Sequence, residues 1–160
     1  MKKILPAFFI ITFSGAFSQD SLTVKQIDSL VAQINNSGLL IPRDTIVQDH
    51  PDLGIKVITY LSAMINGPEL IKFENKVNST NVVDGDTLHT VASNTFYYTH
   101  NKLIKVEDRL FVPEAKNVAD WYYSDGKSIY YTQQNEKSAA RAHLLLTLSN
   151  VWVNKTVKKP

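Results

Sequence analysis

Potential metal ligands and proton-transfer groups cluster at two places in the sequence. Asp49, His50 and Asp52 fall within four residues, and Asp84 and Asp86 flank a single glycine. Neither group has the regular spacing of a zinc or calcium motif, and Asp beside Pro or Gly is ordinary turn chemistry. We therefore predict no metal site at either place. A small periplasmic hydrolase that uses Asp49, His50 and Asp52 is the alternative enzymatic interpretation.

Sequence signatures of the common catalytic centres are absent. The chain lacks a Gly-x-Ser-x-Gly elbow, a His-Glu-x-x-His zinc motif and a phosphate-binding glycine loop, and it contains no Cys. Its 6 glycines are few for a fold that wraps around a cofactor. We predict no catalytic residue and no cofactor.

The most distinctive pattern is an aromatic hairpin sequence that occurs twice. Residues 96–104 (Phe-Tyr-Tyr-Thr-His-Asn-Lys-Leu-Ile) are echoed 25 positions later by residues 121–129 (Trp-Tyr-Tyr-Ser-Asp-Gly-Lys-Ser-Ile). Asp125-Gly126, between β-branched and aromatic residues, predicts a two-residue hairpin turn. Both residues of such a turn need positive φ, which Gly adopts freely and Asp or Asn tolerates. In the first copy Asn101 supplies that tolerance.

Strand alternation assigns these aromatic residues to the two faces of a sheet. Ile104 and Val106 alternate with Lys105 and Glu107, which predicts that the Ile104 side is the buried one. Alternation through the two turns adds to this buried side Tyr97, Tyr122, Ile129 and Tyr131. The opposite side is predicted to hold Phe96, Tyr98, Trp121, Tyr123 and Tyr130.

These last five aromatic residues, with Leu103, Lys105 and Glu107 as neighbours, would form a patch of the kind found at binding sites. They are the candidate binding residues for a protein or envelope partner. The alternative interpretation is that the aromatic side chains stabilise the sheet and that a loop or the C-terminal helix covers them.

Helix and turn signals predict an α+β domain. Thr23 and Gln26 fit a capping box, and apolar residues at helical spacing predict a helix over about 23–36, with Gly38 as a left-handed cap. Residues 39–54 are predicted to be a connector with a short extended piece at 45–48, and residues 113–117 a loop. Asn135 is predicted to cap a last helix that reaches about Asn150; periodicity leaves residues 151–157 open between helix and strand. The fold class is an antiparallel β-meander of about six strands with an N-terminal and a C-terminal helix packed on one face.

The first 18 residues predict a cleaved signal peptide. A basic start, an apolar stretch from Ile4 to Phe13 and the sequence Ala-Phe-Ser before Gln19 are typical of an exported chain cut before Gln19. The remaining residues, 19–160, form one predicted domain with 15 Lys and Arg against 15 Asp and Glu, which argues against nucleic-acid binding. We expect a periplasmic or secreted protein with no transmembrane anchor after cleavage and, since no Cys is present, no lipidation.

The hairpin sequence Tyr-Tyr-x-Asp-Gly-Lys at 122–127 resembles the repeats of the membrane-occupation-and-recognition-nexus type, whose Tyr-Tyr-x-x-Gly-Lys units stack into sheets. The copy at 97–102 departs from that pattern, with Asn101 in place of Gly. Residues 23–148 look more broadly similar to small exported bacterial proteins with a leading helix, Tyr-Tyr hairpins and a closing helix. That resemblance implies a fold and a compartment, and no activity. The predicted function is an exported non-catalytic domain that binds a protein or envelope component, with a self-associating structural envelope protein as a further alternative.

Overall fold

Seven antiparallel strands form one sheet in chain order, with one helix before it and one after it. The structure is a computed structural model that describes residues 21–113 and 115–157. The elements are α1 (Val24–Ser37), β1 (Ile41–His50), a 3-10 turn (Pro51–Leu53), β2 (Ile55–Asn66), β3 (Glu69–Val83), β4 (Asp86–Thr99), β5 (Lys102–Val112), β6 (Ala115–Ser124), β7 (Lys127–Tyr131) and α2 (Ser138–Val157). The predicted α+β meander is confirmed. The predicted signal peptide lies outside the described residues.

Helix α1 begins at the predicted capping box. The Thr23 hydroxyl accepts a hydrogen bond from the Gln26 amide (3.4 Å), and Gln26 Oε1 accepts one from the Thr23 amide (2.8 Å). At the other end Gly38 is extended (φ 176°), so the predicted left-handed cap is wrong. The Ser37 hydroxyl donates to the Ile34 carbonyl (2.9 Å), which satisfies one of the carbonyls that such a cap would otherwise serve.

Three of the hairpins are closed by two-residue turns in which both residues have positive φ. These turns are Asp84-Gly85, His100-Asn101 and Asp125-Gly126, as the twist of antiparallel strands favours. Asn101 also joins its turn to the neighbouring hairpin, because its side chain accepts from the Leu70 amide (2.8 Å) and donates to the Pro68 carbonyl (3.2 Å). The aromatic hairpins of the sequence are therefore confirmed as β4–β5 and β6–β7.

Two predicted connectors are strands instead. Most of the segment 39–54 is β1, which pairs with β2 and brings the sheet to seven strands, and β6 begins at Ala115 inside the predicted loop 113–117. The two prolines had suggested a connector, but both lie where a strand tolerates a missing N–H. Pro42 lies next to a bulge, and Pro51 follows the end of β1.

Residues 151–157, which the sequence left open, belong to α2. The Trp152 ring stacks on Phe73 at 4.5 Å between centroids, so contact with β3 extends the helix across the sheet. The predicted start is wrong by two residues: α2 begins at Ser138, and Asn135 lies in the turn before it, where its Oδ1 accepts from the Lys137 amide (2.9 Å).

The two helices pack on opposite faces of the sheet rather than on one face as predicted. Under α2 lies a cluster that includes Phe73, Val106 and Leu145, whereas α1 buries Ile27 and Val31 against a different set. That second set consists of Tyr97, Ile104 and Tyr122. The sheet therefore has an apolar centre on both sides, and one helix covers each.

Register shifts explain why simple alternation failed. Tyr97 pairs with Lys105 and Tyr98 with Leu103, so Ile104 is an extra residue on β5. Such a bulge resets which side chains face which side. As a result Ile104 faces α1 while Leu103 and Val106 both face α2. A similar shift in β7 leaves Ile129 unpaired and exposed, so its predicted burial is wrong, and Tyr131 packs against the α2 cluster.

We expect Leu103→Ala and Ile104→Ala each to lower the free energy of unfolding by about 2–4 kcal/mol, because each deletes a buried side chain on its own face. Ile129→Ala should cost about 1 kcal/mol or less because the side chain is exposed. Urea denaturation of the three variants measures these changes. A small loss at Leu103 together with a large one at Ile129 would contradict the bulged registers.

Candidate functional site

Four of the five predicted binding residues lie in the core beneath α2. Phe96, Tyr98, Trp121 and Tyr123 are all 4% exposed or less. The Tyr123 hydroxyl donates to the Ala142 carbonyl on α2 (3.0 Å), which ties the helix to the sheet. The predicted open aromatic face is therefore wrong, because α2 covers it. The alternative interpretation of the sequence, in which the C-terminal helix covers the aromatic side chains, is the one that the structure supports.

The fifth predicted residue, Tyr130, lies on the opposite face. It pairs with Tyr122, and the two ring centroids are 5.7 Å apart. Tyr130 remains exposed. The shift at Ile129 separates it from Trp121 and Tyr123, so the five aromatic residues do not form one site.

A buried charged cluster lies on the α1 face, centred on Lys105. The side chain of Lys105 is 8% exposed, and its Nζ lies 2.9 Å from Asp28, 3.2 Å from Asp120 and 3.9 Å from Glu107. Arg109 adds a second cation, 2.6 Å from Asp120. We call these five residues (Asp28, Lys105, Glu107, Arg109 and Asp120) the charged cluster.

Two side chains of the α1 face, Lys105 and Tyr97, have raised pKa values. Burial alone would lower the pKa of Lys105, but hydrogen bonds with Asp28, Tyr122 and Asp120 outweigh burial and raise the pKa. Burial and the nearby Glu107 carboxylate raise the pKa of Tyr97 to about 12. A raised pKa favours the protonated form of Lys105, which is the wrong form for a nucleophile or a general base. The arrangement is suited to holding α1 on the sheet, since Asp28 also accepts from the Tyr122 hydroxyl (3.0 Å).

The sequence predicted that Lys105 lies on a strand, on the face opposite Ile104. That face is wrong, because the extra residue at Ile104 places Lys105 on the α1 side as well, beside partners that the sequence did not indicate. Asp28 lies on a helix 77 residues away, directly after the buried Ile27. An acidic residue beside the apolar stripe of an amphipathic helix is the only local signal, and it does not identify which cation it meets.

The acidic segments singled out in the sequence do not gather metal-ligand groups within the described part of the chain. Asp49 forms an ion pair with Lys56 across β1 and β2 (3.2 Å). Among the described residues no group of three His, Cys, Asp or Glu side chains is close enough to hold a metal ion. A cleft of about 620 Å³ lies between the β4–β5 and β6–β7 turns and α2, with Lys102, Asp125 and Leu146 on its walls. The Lys102–Asp125 ion pair of that cleft is 3.5 Å long.

The strands extend beyond both helices, and the α1 side of this extension carries a mostly apolar row. Adjacent strands place five side chains side by side, which we call the outer row: Val47, Ile58, Asn78, Val91 and Phe111. Val47 and Phe111 are exposed, and the other three are partly exposed. Tyr60 and Val118, in the neighbouring row on the same side, are exposed as well. No sequence motif indicates this surface, because each residue comes from a different strand.

Comparisons with known proteins give no relative: no family model, no curated protein and no solved structure matches the chain. Within the described residues, neither helix combines the length and apolar character needed to cross a bilayer.

We expect Lys105→Met to destabilise the fold by about 2 kcal/mol, because it removes the buried cation that pairs with Asp28, Glu107 and Asp120. Asp28→Asn should cost about 1 kcal/mol or less, since Asp28 is half exposed and its loss leaves Lys105 paired with Asp120. Urea denaturation of both variants at low and moderate salt measures the difference. Equal losses would contradict a cluster centred on Lys105.

Proposed function

We propose that the protein is an exported, non-catalytic domain that binds a protein or envelope component through the outer row and its neighbours Tyr60 and Val118. The observation that carries this proposal is a row of mostly apolar side chains, with Asn78 at its centre, that neither helix covers. Exposed apolar patches of this kind mark interaction sites on soluble domains.

The α1 side of the extended sheet is better suited to recognition than the α2 side. It carries two exposed aromatic residues, Tyr60 and Phe111, whereas the α2 side carries aliphatic Ile46 and Leu110 at the same level. Aromatic side chains are enriched in protein interfaces because they bury a large area with few rotatable bonds. Most of the binding free energy that such a ring contributes comes from burial of its apolar surface, at about 25 cal/mol per Å².

The charged residues around the outer row indicate what kind of partner would bind there. Lys116 lies over the Phe111 ring, with Nζ 5.3 Å from the centroid, and Lys76 is exposed beside Tyr60. A surface that combines apolar contact with basic neighbours is complementary to an apolar patch bordered by carboxylates. An acidic envelope protein is the partner class that fits this chemistry best.

The non-catalytic part of the proposal is supported by the chemistry of the charged cluster. Lys105, the most deeply buried cation of the α1 face, is neutralised by three carboxylates. Asp49, from the segment that suggested a hydrolase, is engaged by Lys56. Lys105 and Asp49 are therefore both held in ion pairs.

We expect Phe111→Ala to reduce capture of the envelope partner about tenfold or more, since an aromatic anchor at an interface contributes about 2 kcal/mol. Leu110→Ala is the matched control, because the two neighbours have similar exposure (39% and 37%) but face opposite sides of the sheet. The measurement is recovery of partner from a membrane and periplasmic extract on immobilised protein, quantified by mass spectrometry. Equal recovery by both variants would contradict the proposal, and a selective loss with Leu110→Ala would place binding on the other face.

The chemical class of the partner is decided in the same experiment by treating the extract with protease before capture. Loss of the Phe111-dependent signal identifies a protein, and its persistence identifies a lipid or glycan component. Unfolding midpoints of both variants control for structural damage, which should be small at exposed positions.

Export is tested separately from binding. Material recovered from outside the cytoplasm should begin at Gln19, because Ala16 and Ser18 occupy the small positions before the cut. Intact mass analysis measures this directly, and a chain that retains Met1 would contradict export by cleavage.

A further inference from the structure

The β1 strand is a long sheet edge without a partner on its outer side among the described residues. It pairs only with β2, and all ten of its residues are exposed. An edge of this kind presents unpaired backbone amides and carbonyls that favour the addition of another strand. The opposite edge, β7, is only five residues long.

The centre of β1 is suited to strand pairing and is flanked by charged residues on both sides. Residues 45–48 (Thr-Ile-Val-Gln) are uncharged, and three of the four are β-branched. Arg43 and Asp44 precede this stretch and Asp49 follows it. Arg43 has no partner on β2, because the register shifts between Pro42 and Asp44.

We infer that β1 pairs antiparallel with β1 of a second copy of this chain, about a two-fold axis at Ile46. This inference does not depend on the proposed binding function, because it concerns the strand edge rather than the outer row. Residues opposite each other in an antiparallel pair face the same side of the sheet. A symmetric pair must therefore be centred on a single residue.

The charges select Ile46 among the three central positions. Centred on Ile46, the pairing places Ile46 against itself, Thr45 against Val47 and Asp44 against Gln48. It also brings Arg43, at the bulge, close to Asp49, which pairs with Lys56 within its own copy, and symmetry repeats these contacts. Centring on Thr45 instead would put Asp44 against Ile46.

Centring on Val47 would put Ile46 against Gln48 and would leave Arg43 without a carboxylate opposite it. Only the Ile46 register combines an apolar centre with two complementary charge pairs, which cross-strand energetics favour. The result is a continuous sheet across two copies.

The absence of cysteine from the chain permits a direct test by single-cysteine variants. In the inferred dimer the two residues at position 46 lie opposite each other, about 4.5–5.5 Å apart between Cα atoms, within the range of a disulfide. Ile46→Cys should therefore form a disulfide-linked dimer on mild oxidation. Ile129→Cys on β7 is the matched control, because the native side chains have similar exposure (45% and 42%). It should remain monomeric under the same conditions.

The register is read from Thr45→Cys and Val47→Cys, which should cross-link when mixed and not separately. Sedimentation equilibrium of the unmodified protein should show a concentration-dependent dimer, and Ile46→Lys, which sets two cations at the axis, should weaken it at least tenfold. A monomer at every concentration, equal cross-linking by Ile129→Cys, or self-cross-linking of Thr45→Cys or Val47→Cys in preference to Ile46→Cys would overturn the inference.

Discussion

The structure depends on a sheet that is apolar on both faces at its centre. Neighbouring residues such as Tyr97 and Tyr98 bury large rings on opposite sides, so neither face can be left to solvent. The helices before and after the sheet each cover one face: α2 covers the side of Tyr98, and α1 covers the side of Tyr97. A meander has no crossover helices of its own, and the terminal helices are the available cover.

Different interactions hold the two helices on the two faces of the sheet. On the α2 side the contact is mainly apolar, with Trp152 stacked on Phe73 and a hydrogen bond from Tyr123 to the helix backbone. On the α1 side a smaller apolar cluster is supplemented by the charged cluster around Lys105. Burial of that lysine is tolerated because three carboxylates and the Tyr122 ring surround it.

Neither helix reaches the far end of the long central strands. Beyond them the sheet is a single layer, which leaves the outer row on one side and the β1 edge at its margin open to contact. These two features differ in what they can recognise. A row of side chains selects a complementary surface, while an edge pairs through its backbone and takes its register from flanking charges such as Arg43 and Asp49. The two surfaces can therefore act independently.

Local sequence determined the features that depend on neighbouring residues. The Thr23 capping box set the start of α1, and the demand for positive φ fixed the Asp125-Gly126 and His100-Asn101 turns, from which the order of the meander follows. Alternation also correctly grouped Tyr97, Ile104 and Tyr122. It failed beyond the extra residues Ile104 and Ile129, because a bulge reverses the side that later residues face and is specified by pairing with another strand. The cover over Trp121, the carboxylate partners of Lys105 and the contiguity of the outer row were decided only by the tertiary structure, since each joins residues that are distant in the chain.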